Sequence, residues 1–224
     1  MSSSTSTETG WPLSLNVCMV DSVHLSHPGR QARYSQGMSY PKKISRETVL
    51  DSALAFIEAH GLAALSMRTL AGNLGVTPNA LYRYFSSKAD LEFALVDKGG
   101  EMLLAELEHA AKGLAMPEAI RAVSRAYIRF ARAYPQLYTI KLQHNGMEQC
   151  KTDSHEAIWA FVTQLTSGLP THWDAQDLAL SLWAFLHGMV ELDRADLLEG
   201  RSPEATIEVG LDIMLAGLMA QALS

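Results

Sequence analysis

The 224-residue sequence is poor in cysteine and has no long apolar run. Its two cysteines, Cys18 and Cys150, are too few and too far apart for a disulfide framework or a cysteine-based metal site. No apolar stretch approaches the roughly 20 residues that a membrane-spanning helix needs. The Ser/Thr-rich start also lacks the positive segment and the apolar core of a signal peptide. These absences predict a cytoplasmic protein that does not bind a membrane.

The sequence also lacks the common signatures of catalysis. It has no phosphate-binding glycine loop, no zinc-type Cys/His spacing and no Gly-x-Ser-x-Gly turn. Its central histidines show no ligand spacing such as His-Glu-x-x-His; they are His144, His155, His172 and His187. We therefore expect no enzyme, no cofactor and no metal site.

Charge is unevenly distributed along the chain, whose net charge is −6. Residues 38–90 carry six basic and four acidic side chains, whereas residues 91–224 carry ten basic and eighteen acidic ones. An acidic total therefore does not exclude a nucleic-acid partner, because the acid lies away from the basic segment. The pattern predicts a mildly basic head on an acidic body, which would orient the approach to phosphate.

Residues 66–88 have the start and stop signals of two short helices joined by a tight turn. Ser66 is a suitable N-cap for a first helix whose apolar side chains lie on one face, and Gly75 is suited to the left-handed residue that ends it. Thr77 is expected to cap the second helix, with Pro78 at its first position. The spacing predicts a helix-turn-helix; the alternative is an ordinary αα-corner with a solvated polar face.

The second of these helices is predicted to turn an apolar face inward and a polar face outward. Leu81 and Phe85, four residues apart, point back at the first helix. A recognition helix offers donors to base edges and phosphates, which suits the residues expected to face outward. They are Asn79, Tyr82, Arg83 and Tyr84.

Residues 44–95 closely resemble the DNA-binding domain of tetracycline repressor (TetR) family regulators. The most specific parts are the Leu-Tyr-x-Tyr-Phe-x-x-Lys run at 81–88 and the Leu-Gly-Val-Thr run that begins at Leu74. The resemblance implies double-stranded DNA as a partner and gives the candidate contacts two roles. By this resemblance, the residues that contact bases are Thr77, Pro78, Asn79 and Tyr84. Those that contact phosphates are Arg68, Tyr82 and Lys88. Arg83, which is expected to face outward, is a further candidate.

The whole chain is predicted to be all-α, with three parts. Residues 1–40 form an N-terminal extension without sustained periodicity, expected to be disordered; Met38 is an alternative translation start that would leave 1–37 untranslated. Residues 41–90 form the three-helix DNA-binding domain, led by Lys42, Lys43 and Arg46 as either a DNA-contacting arm or a solvated lead-in. Residues 91–224 form a larger helical effector-binding and dimerisation domain.

The helix that should begin after Ser87 contains a glycine pair, Gly99 and Gly100. Each glycine costs a helix interior about 1 kcal/mol relative to alanine, so the pair predicts an interruption. It would serve as a flexible joint that lets an effector tilt the head, or else as a close packing contact or helix end.

Four or five further helices are predicted from Pro117 onward. The segment from Leu178 to Val190 is apolar nearly all round, and the last helix starts at Pro203 after a Ser202 cap. This surplus of apolar surface predicts a homodimer through a four-helix bundle, as is characteristic of the family.

Large aromatic side chains are concentrated in the middle helices, and they predict a pocket for a small-molecule effector. The Trp183-x-x-x-His187-Gly188 sequence resembles one TetR subgroup, although His187 also fits a hydrogen-bonded core histidine. The candidate effector-binding residues are Tyr127, Phe130, Tyr134, Tyr138, Trp159, Trp183 and His187.

The resemblance implies a dimeric TetR-type repressor that binds a palindromic operator and is released by an unidentified effector. The alternatives are a DNA-bound architectural or assembly factor without an effector and, more distantly, an all-helical enzyme with an incidental helix-turn-helix.

Overall fold

The computed structural model describes residues 44–145 and 152–221. Within these ranges the chain forms nine α-helices and a short 3-10 turn, with no strand, which confirms the predicted all-α fold with an N-terminal helix-turn-helix. Residues 1–40, Lys42, Lys43 and Cys150 lie outside the described residues. The helices are α1 (Arg46–His60), α2 (Met67–Leu74), α3 (Pro78–Tyr82), α4 (Lys88–Ala111), α5 (Glu118–Ala133), α6 (Pro135–Asn145), α7 (Asp153–Thr166), α8 (Ala175–Arg194) and α9 (Pro203–Gln221).

The head, α1–α3, begins and ends its helices largely as its sequence predicts. The hydroxyl of Ser66 accepts a hydrogen bond from the Thr69 amide at 3.1 Å, and Gly75 takes the left-handed conformation with φ 69° at the end of α2. Leu81 and Phe85 are buried in the head core. Thr77 occupies the cap position of α3, but its side chain makes no capping bond, so this detail of the prediction is wrong.

The long helix α4 passes through its glycine pair without interruption, and both glycines are buried. A Cβ added to Gly99 would lie 2.9 Å from Leu137 Cγ, and one added to Gly100 would lie 2.0 Å from Ser154 Oγ. The glycines are therefore close-packing positions that let α6 and the start of α7 approach α4. The predicted interruption of the helix is wrong, because tertiary packing outweighs the low helix propensity of glycine. Of the alternatives, the structure favours the close packing contact over the flexible joint.

The body, α5–α9, continues from α4. Gly210 of α9 lies against the Phe185 ring, which a Cβ would approach to 2.2 Å. The outer faces of α8 and α9 still carry exposed apolar side chains, among them Leu180, Leu192, Val209 and Ile213. Among the helices described, none is long and apolar enough to cross a membrane.

Candidate functional site: a helix-turn-helix face and a buried cavity

The turn between α2 and α3 exposes most of the predicted DNA-contacting residues on one short segment. Pro78 starts α3 with the chain already extended at Thr77, and Asn79 lies in the first turn of the helix. Tyr82, at the end of α3, is 50% exposed. The buried Leu81 fixes the inner side of the helix, so its outer side is held toward solvent. The exposed candidates are Arg68, Thr77, Pro78, Asn79, Tyr82 and Arg83.

Tyr84 does not face outward, contrary to the prediction. Its side chain is half-buried, and its hydroxyl donates a hydrogen bond to the carbonyl oxygen of Ile44 at 2.5 Å. Ile44 immediately precedes Ser45, the N-cap of α1. The bond therefore connects the segment that follows α3 to the start of α1. Periodicity alone does not reveal the acceptor, which lies 40 residues earlier in the chain.

Two cations border this face. Lys88 opens α4 and its ammonium lies 3.3 Å from Glu92, one turn later, so part of its charge is already paired. The guanidinium of Arg46, in the first turn of α1, lies over the Phe85 ring at 5.0 Å from the centroid. Arg46 therefore lies on the head, in contact with the buried ring of Phe85 that follows α3.

A cavity of about 280 Å³ lies within the body, walled mainly by apolar side chains of α4–α8. Five of the seven predicted effector residues line it, namely Tyr127, Phe130, Tyr138, Trp159 and Trp183. Tyr134 and His187 do not line it. Tyr134 packs instead against Phe130, with ring centroids 5.2 Å apart, because it lies at the end of α5 beyond the cavity.

A chain of hydrogen bonds joins three of the lining side chains to His187. Trp183 Nε1 donates to the Tyr127 hydroxyl at 3.1 Å, which lies 3.1 Å from the Tyr138 hydroxyl. Tyr138 in turn lies 2.6 Å from His187 Nδ1. Since an indole N–H only donates, the simplest pattern has each tyrosine donating onward, with His187 Nδ1 as final acceptor. His187 is therefore a hydrogen-bonded core histidine, and it also stacks on Trp183.

Burial raises the pKa of Tyr127 and of Tyr138, the two tyrosines in this chain of hydrogen bonds. Both hydroxyls therefore stay protonated around neutral pH and keep the chain of donors intact. In this pattern all three donor hydrogens, on Trp183 Nε1 and the two tyrosine hydroxyls, are used. A ligand oxygen could therefore accept a hydrogen bond from one of these groups only by displacing its present acceptor.

Lys141 also lines the cavity, and sequence reasoning did not select it. Its side chain is only 7% exposed, and among the described residues its ammonium has no hydrogen-bond partner. Burial lowers its pKa from 10.5 to about 8, against the opposing field of Asp97. The signal that could have found it is its position one turn after Tyr138, on the same face of α6.

Helix α6 also contacts the head. The carboxylate of Glu58, on α1, accepts hydrogen bonds from the backbone amides of Gln136 at 3.2 Å and Leu137 at 2.8 Å. It therefore caps the N-terminus of the same helix that carries Tyr138 and Lys141 into the cavity wall. Lys98 of α4 makes a second link, pairing with Asp51 of α1 at 3.0 Å and also with Glu47.

Metal-binding geometry is not found in residues 44–145 or 152–221: no three His, Cys, Asp or Glu side chains there form a group that could hold an ion. His172, one of the histidines considered, is exposed and lies beside Trp173.

Two family models match this architecture. The model for bacterial regulatory proteins of the tetR family matches residues 49–95, and the model for the tetracyclin repressor-like C-terminal domain matches residues 120–218. Together they cover more than half of the chain. The chain belongs to the TetR family. As members of this family are transcriptional regulators and not enzymes, the protein is a TetR-type transcriptional regulator with a helix-turn-helix DNA-binding domain.

A curated relative and a solved structure resemble the chain over most of its length. The uncharacterized HTH-type transcriptional regulator Rv0681 of Mycobacterium tuberculosis is 25% identical over 179 residues, which are 79% of this chain and 82% of that protein. A protein of unknown function from Rhodococcus sp. RHA1 superposes with a TM-score of 0.73 at 23% identity, covering 80% of this chain and 98% of the other.

Two further solved structures share the TetR fold. BioQ with its double-stranded DNA operator has a TM-score of 0.58 at 23% identity, covering 80% of this chain and 99% of BioQ. A variant of TetR from Acinetobacter baumannii AYE in complex with minocycline has a TM-score of 0.59 at 22% identity, covering 80% of this chain and 98% of the other.

Proposed function

We propose that this TetR-type regulator is a repressor that binds a palindromic operator as a homodimer and is released by a small-molecule effector held in the cavity. The observation that carries the proposal is the position of α6, which lines the cavity with Tyr138 and Lys141 and is capped by Glu58 of the head. A ligand that shifts α6 would therefore act directly on α1. The protein would work in the cytoplasm, where bacterial DNA lies.

The proposed DNA face is the exposed side of α3 with its two flanks. Asn79 would contact base edges in the major groove, and Tyr82 would hold phosphate. Arg68, Arg83 and Lys88 would add phosphate contacts, and Thr77 and Pro78 would pack against the bases. Tyr84 is left out of the face because its hydroxyl is used on Ile44.

The proposed dimer interface is formed by α8 and α9. Leu180 is 50% exposed and Ile213 is 69% exposed, although both lie in the middle of long helices where apolar side chains are ordinarily buried. Gly217, with nothing within 4 Å of an added Cβ, leaves room for a partner helix to approach. Packing these faces in a four-helix bundle would bury them and pair the two heads.

Effector and operator would compete through two arrangements of the α6–α1 contact. Only a difference in effector affinity between those arrangements can release DNA. The DNA-bound BioQ and the minocycline-bound TetR variant support both halves of the proposal, since each shares this fold. We also propose the narrower assignment to the Trp-x-x-x-His-Gly subgroup, which rests on the sequence Trp183-x-x-x-His187-Gly188 alone.

The test is selection of binding sites from random duplex DNA with the purified protein, followed by affinity measurements on the selected site. Tyr82→Ala and Lys88→Ala should weaken binding to all sequences, whereas Asn79→Ala should change preference at particular base pairs. Lys112→Ala, on an exposed lysine at the far end of α4, is the matched control. Unchanged affinity in both Tyr82→Ala and Lys88→Ala would refute this face, and failure of every compound to release the DNA would favour an architectural factor.

A further inference from the structure

We propose that the cavity takes a compact monocarboxylic acid with an apolar body, whose carboxylate pairs with the ammonium group of Lys141. This inference rests on the proposed function, because the acid would be the effector, and it deepens that function by naming the chemical class of the ligand. It depends on three observations: a buried cation without an acceptor among the described residues, neighbouring donors that are already used, and a mainly apolar wall of limited size.

The first observation is the cation itself. Lys141 lies 93% out of solvent, lines the cavity and has no hydrogen-bond acceptor among the described residues. A buried donor without an acceptor costs free energy that a ligand oxygen would recover. With a pKa of about 8 the group is still largely protonated at pH 7, so it would present a positive charge to the ligand.

The charged and polar groups described around Lys141 make no hydrogen bond to it, although the field of Asp97 offsets part of the cost of its charge. Asp97 of α4 exerts a field on it but makes no hydrogen bond to it, and the Asp97 carboxylate instead accepts from the Ser154 amide at 3.4 Å. The Ser154 hydroxyl is bonded to Thr152 at 2.9 Å. The room for this cluster is provided by Gly100, where a Cβ would lie 3.2 Å from the Lys141 ammonium nitrogen.

The hydroxyl and indole groups of the wall are already used. Tyr127, Tyr138 and Trp183 satisfy one another and His187 through the chain of hydrogen bonds described above. A ligand oxygen would have to break that chain to accept a hydrogen bond from these groups, whereas the Lys141 ammonium has no acceptor among the residues that the structure describes. One anionic group on the ligand, directed at α6, is therefore the arrangement that the wall favours.

The rest of the cavity wall determines which chemistry suits the part of the ligand that does not contact Lys141. Apart from His155 it is apolar and aromatic, contributed by residues such as Leu103, Leu107, Ile158, Val162 and Leu186. At about 280 Å³ the cavity lies at the small end of ligand pockets, which run from roughly 300 to 1,000 Å³. The size favours a short aliphatic or single-ring acid.

The experiment compares three ligands of equal chain length, octanoate, 1-octanol and octylamine, by isothermal titration calorimetry on the DNA-free protein at pH 7. We expect octanoate to bind at least about tenfold more tightly than 1-octanol, the effect of one hydrogen bond to a charged group, and octylamine to bind most weakly. Lys141→Met should lose the preference for octanoate while still binding 1-octanol. Lys112→Met, the same change on an exposed lysine, should keep it.

The outcomes separate this inference from the proposed function. Equal binding of the three ligands, absence of binding, or an unchanged preference in Lys141→Met would overturn the assignment of a carboxylate, even if another compound released the operator. Preferential octanoate binding that depends on Lys141 supports the assignment. If that binding leaves operator affinity unchanged, the carboxylate site stands and the effector-released mechanism fails.

Discussion

The helix-turn-helix head and the cavity of the body treat their polar groups in opposite ways. In the head, hydroxyl groups bond to backbone amides a few residues away, as the Ser66 hydroxyl does with the Thr69 amide at the start of α2. The candidate DNA-contacting side chains there are mostly exposed to solvent. In the body, Lys141 is buried without an acceptor among the residues that the structure describes. The exposed polar groups of the head stay hydrated at little cost, whereas the buried ammonium of Lys141 carries a desolvation cost in the free protein. Mutations should therefore change stability with opposite signs in the two regions.

The largest effect is expected in the head core. Phe85→Ala removes a ring that is 1% exposed and should lower the free energy of unfolding by about 3–5 kcal/mol. Operator binding should be lost with it, because Phe85 and Leu81 hold the inner side of the recognition segment. Urea unfolding and operator titration measure both. The control is Phe93→Ala on α4, where the ring is 37% exposed and the cost should be far smaller; equal costs would contradict a closed head core.

In the cavity the sign should reverse. Lys141→Met removes a buried charge that has no hydrogen-bond partner among the described residues, and it should raise the free energy of unfolding at pH 7 by about 1–3 kcal/mol. The folded-state pKa of about 8 lies below the ordinary 10.5, so between these values the unfolded chain binds more protons. Wild-type stability should therefore rise across that window, and the advantage of Lys141→Met should shrink toward zero as the pH approaches 10.5.

Denaturant unfolding at a series of pH values, with Lys112→Met as the reference, measures this difference. Subtracting the unfolding free energy of the reference variant removes the pH dependence of the groups that titrate in both variants. A destabilised Lys141→Met at pH 7 would show that the ammonium is satisfied in the free protein, and it would remove the physical reason for a carboxylate ligand.

The same contrast explains what the sequence could predict. Helix starts and stops in the head depend on neighbours within four residues, so Ser66, Gly75 and Pro78 were interpreted correctly from pattern alone. The aromatic content of the middle helices likewise indicated a cavity, and five of its lining residues were among those selected.

Features that depend on distant parts of the chain were not predictable. Tyr84 faces inward because its hydroxyl bonds to Ile44, a residue 40 positions earlier in the chain. Position 100 is a glycine that leaves space for the Ser154 side chain, which packs against α4 there. Lys141 was overlooked because a lysine on a helix is ordinarily solvated. Its burial follows from the packing of α4 and α6, which periodicity does not specify.

A smaller effect is expected where the two regions meet. Glu58→Ala removes the carboxylate that caps α6 and should lower the free energy of unfolding by about 1–2 kcal/mol. It should also reduce the factor by which a releasing compound weakens operator binding, because the contact between α1 and α6 is lost. Operator titration with and without octanoate measures that factor, with the exposed Glu108→Ala on α4 as control. An undiminished factor would place the coupling elsewhere, for example at Lys98.

The smallest effect separates two tyrosines of the head that are two residues apart. Tyr84→Phe loses the bond to the Ile44 carbonyl and should cost about 1 kcal/mol of stability, while operator affinity under conditions where the head is fully folded should stay nearly unchanged. Tyr82→Phe should do the reverse, because the exposed hydroxyl of Tyr82 is free to reach phosphate but contributes nothing to the folded core. Urea unfolding and operator titration on both variants, each measured at the same salt concentration, distinguish the two roles. A loss of affinity in Tyr84→Phe without a loss of stability would mean that Tyr84 leaves Ile44 when DNA binds, and the head would then rearrange on its operator rather than dock as a preformed face.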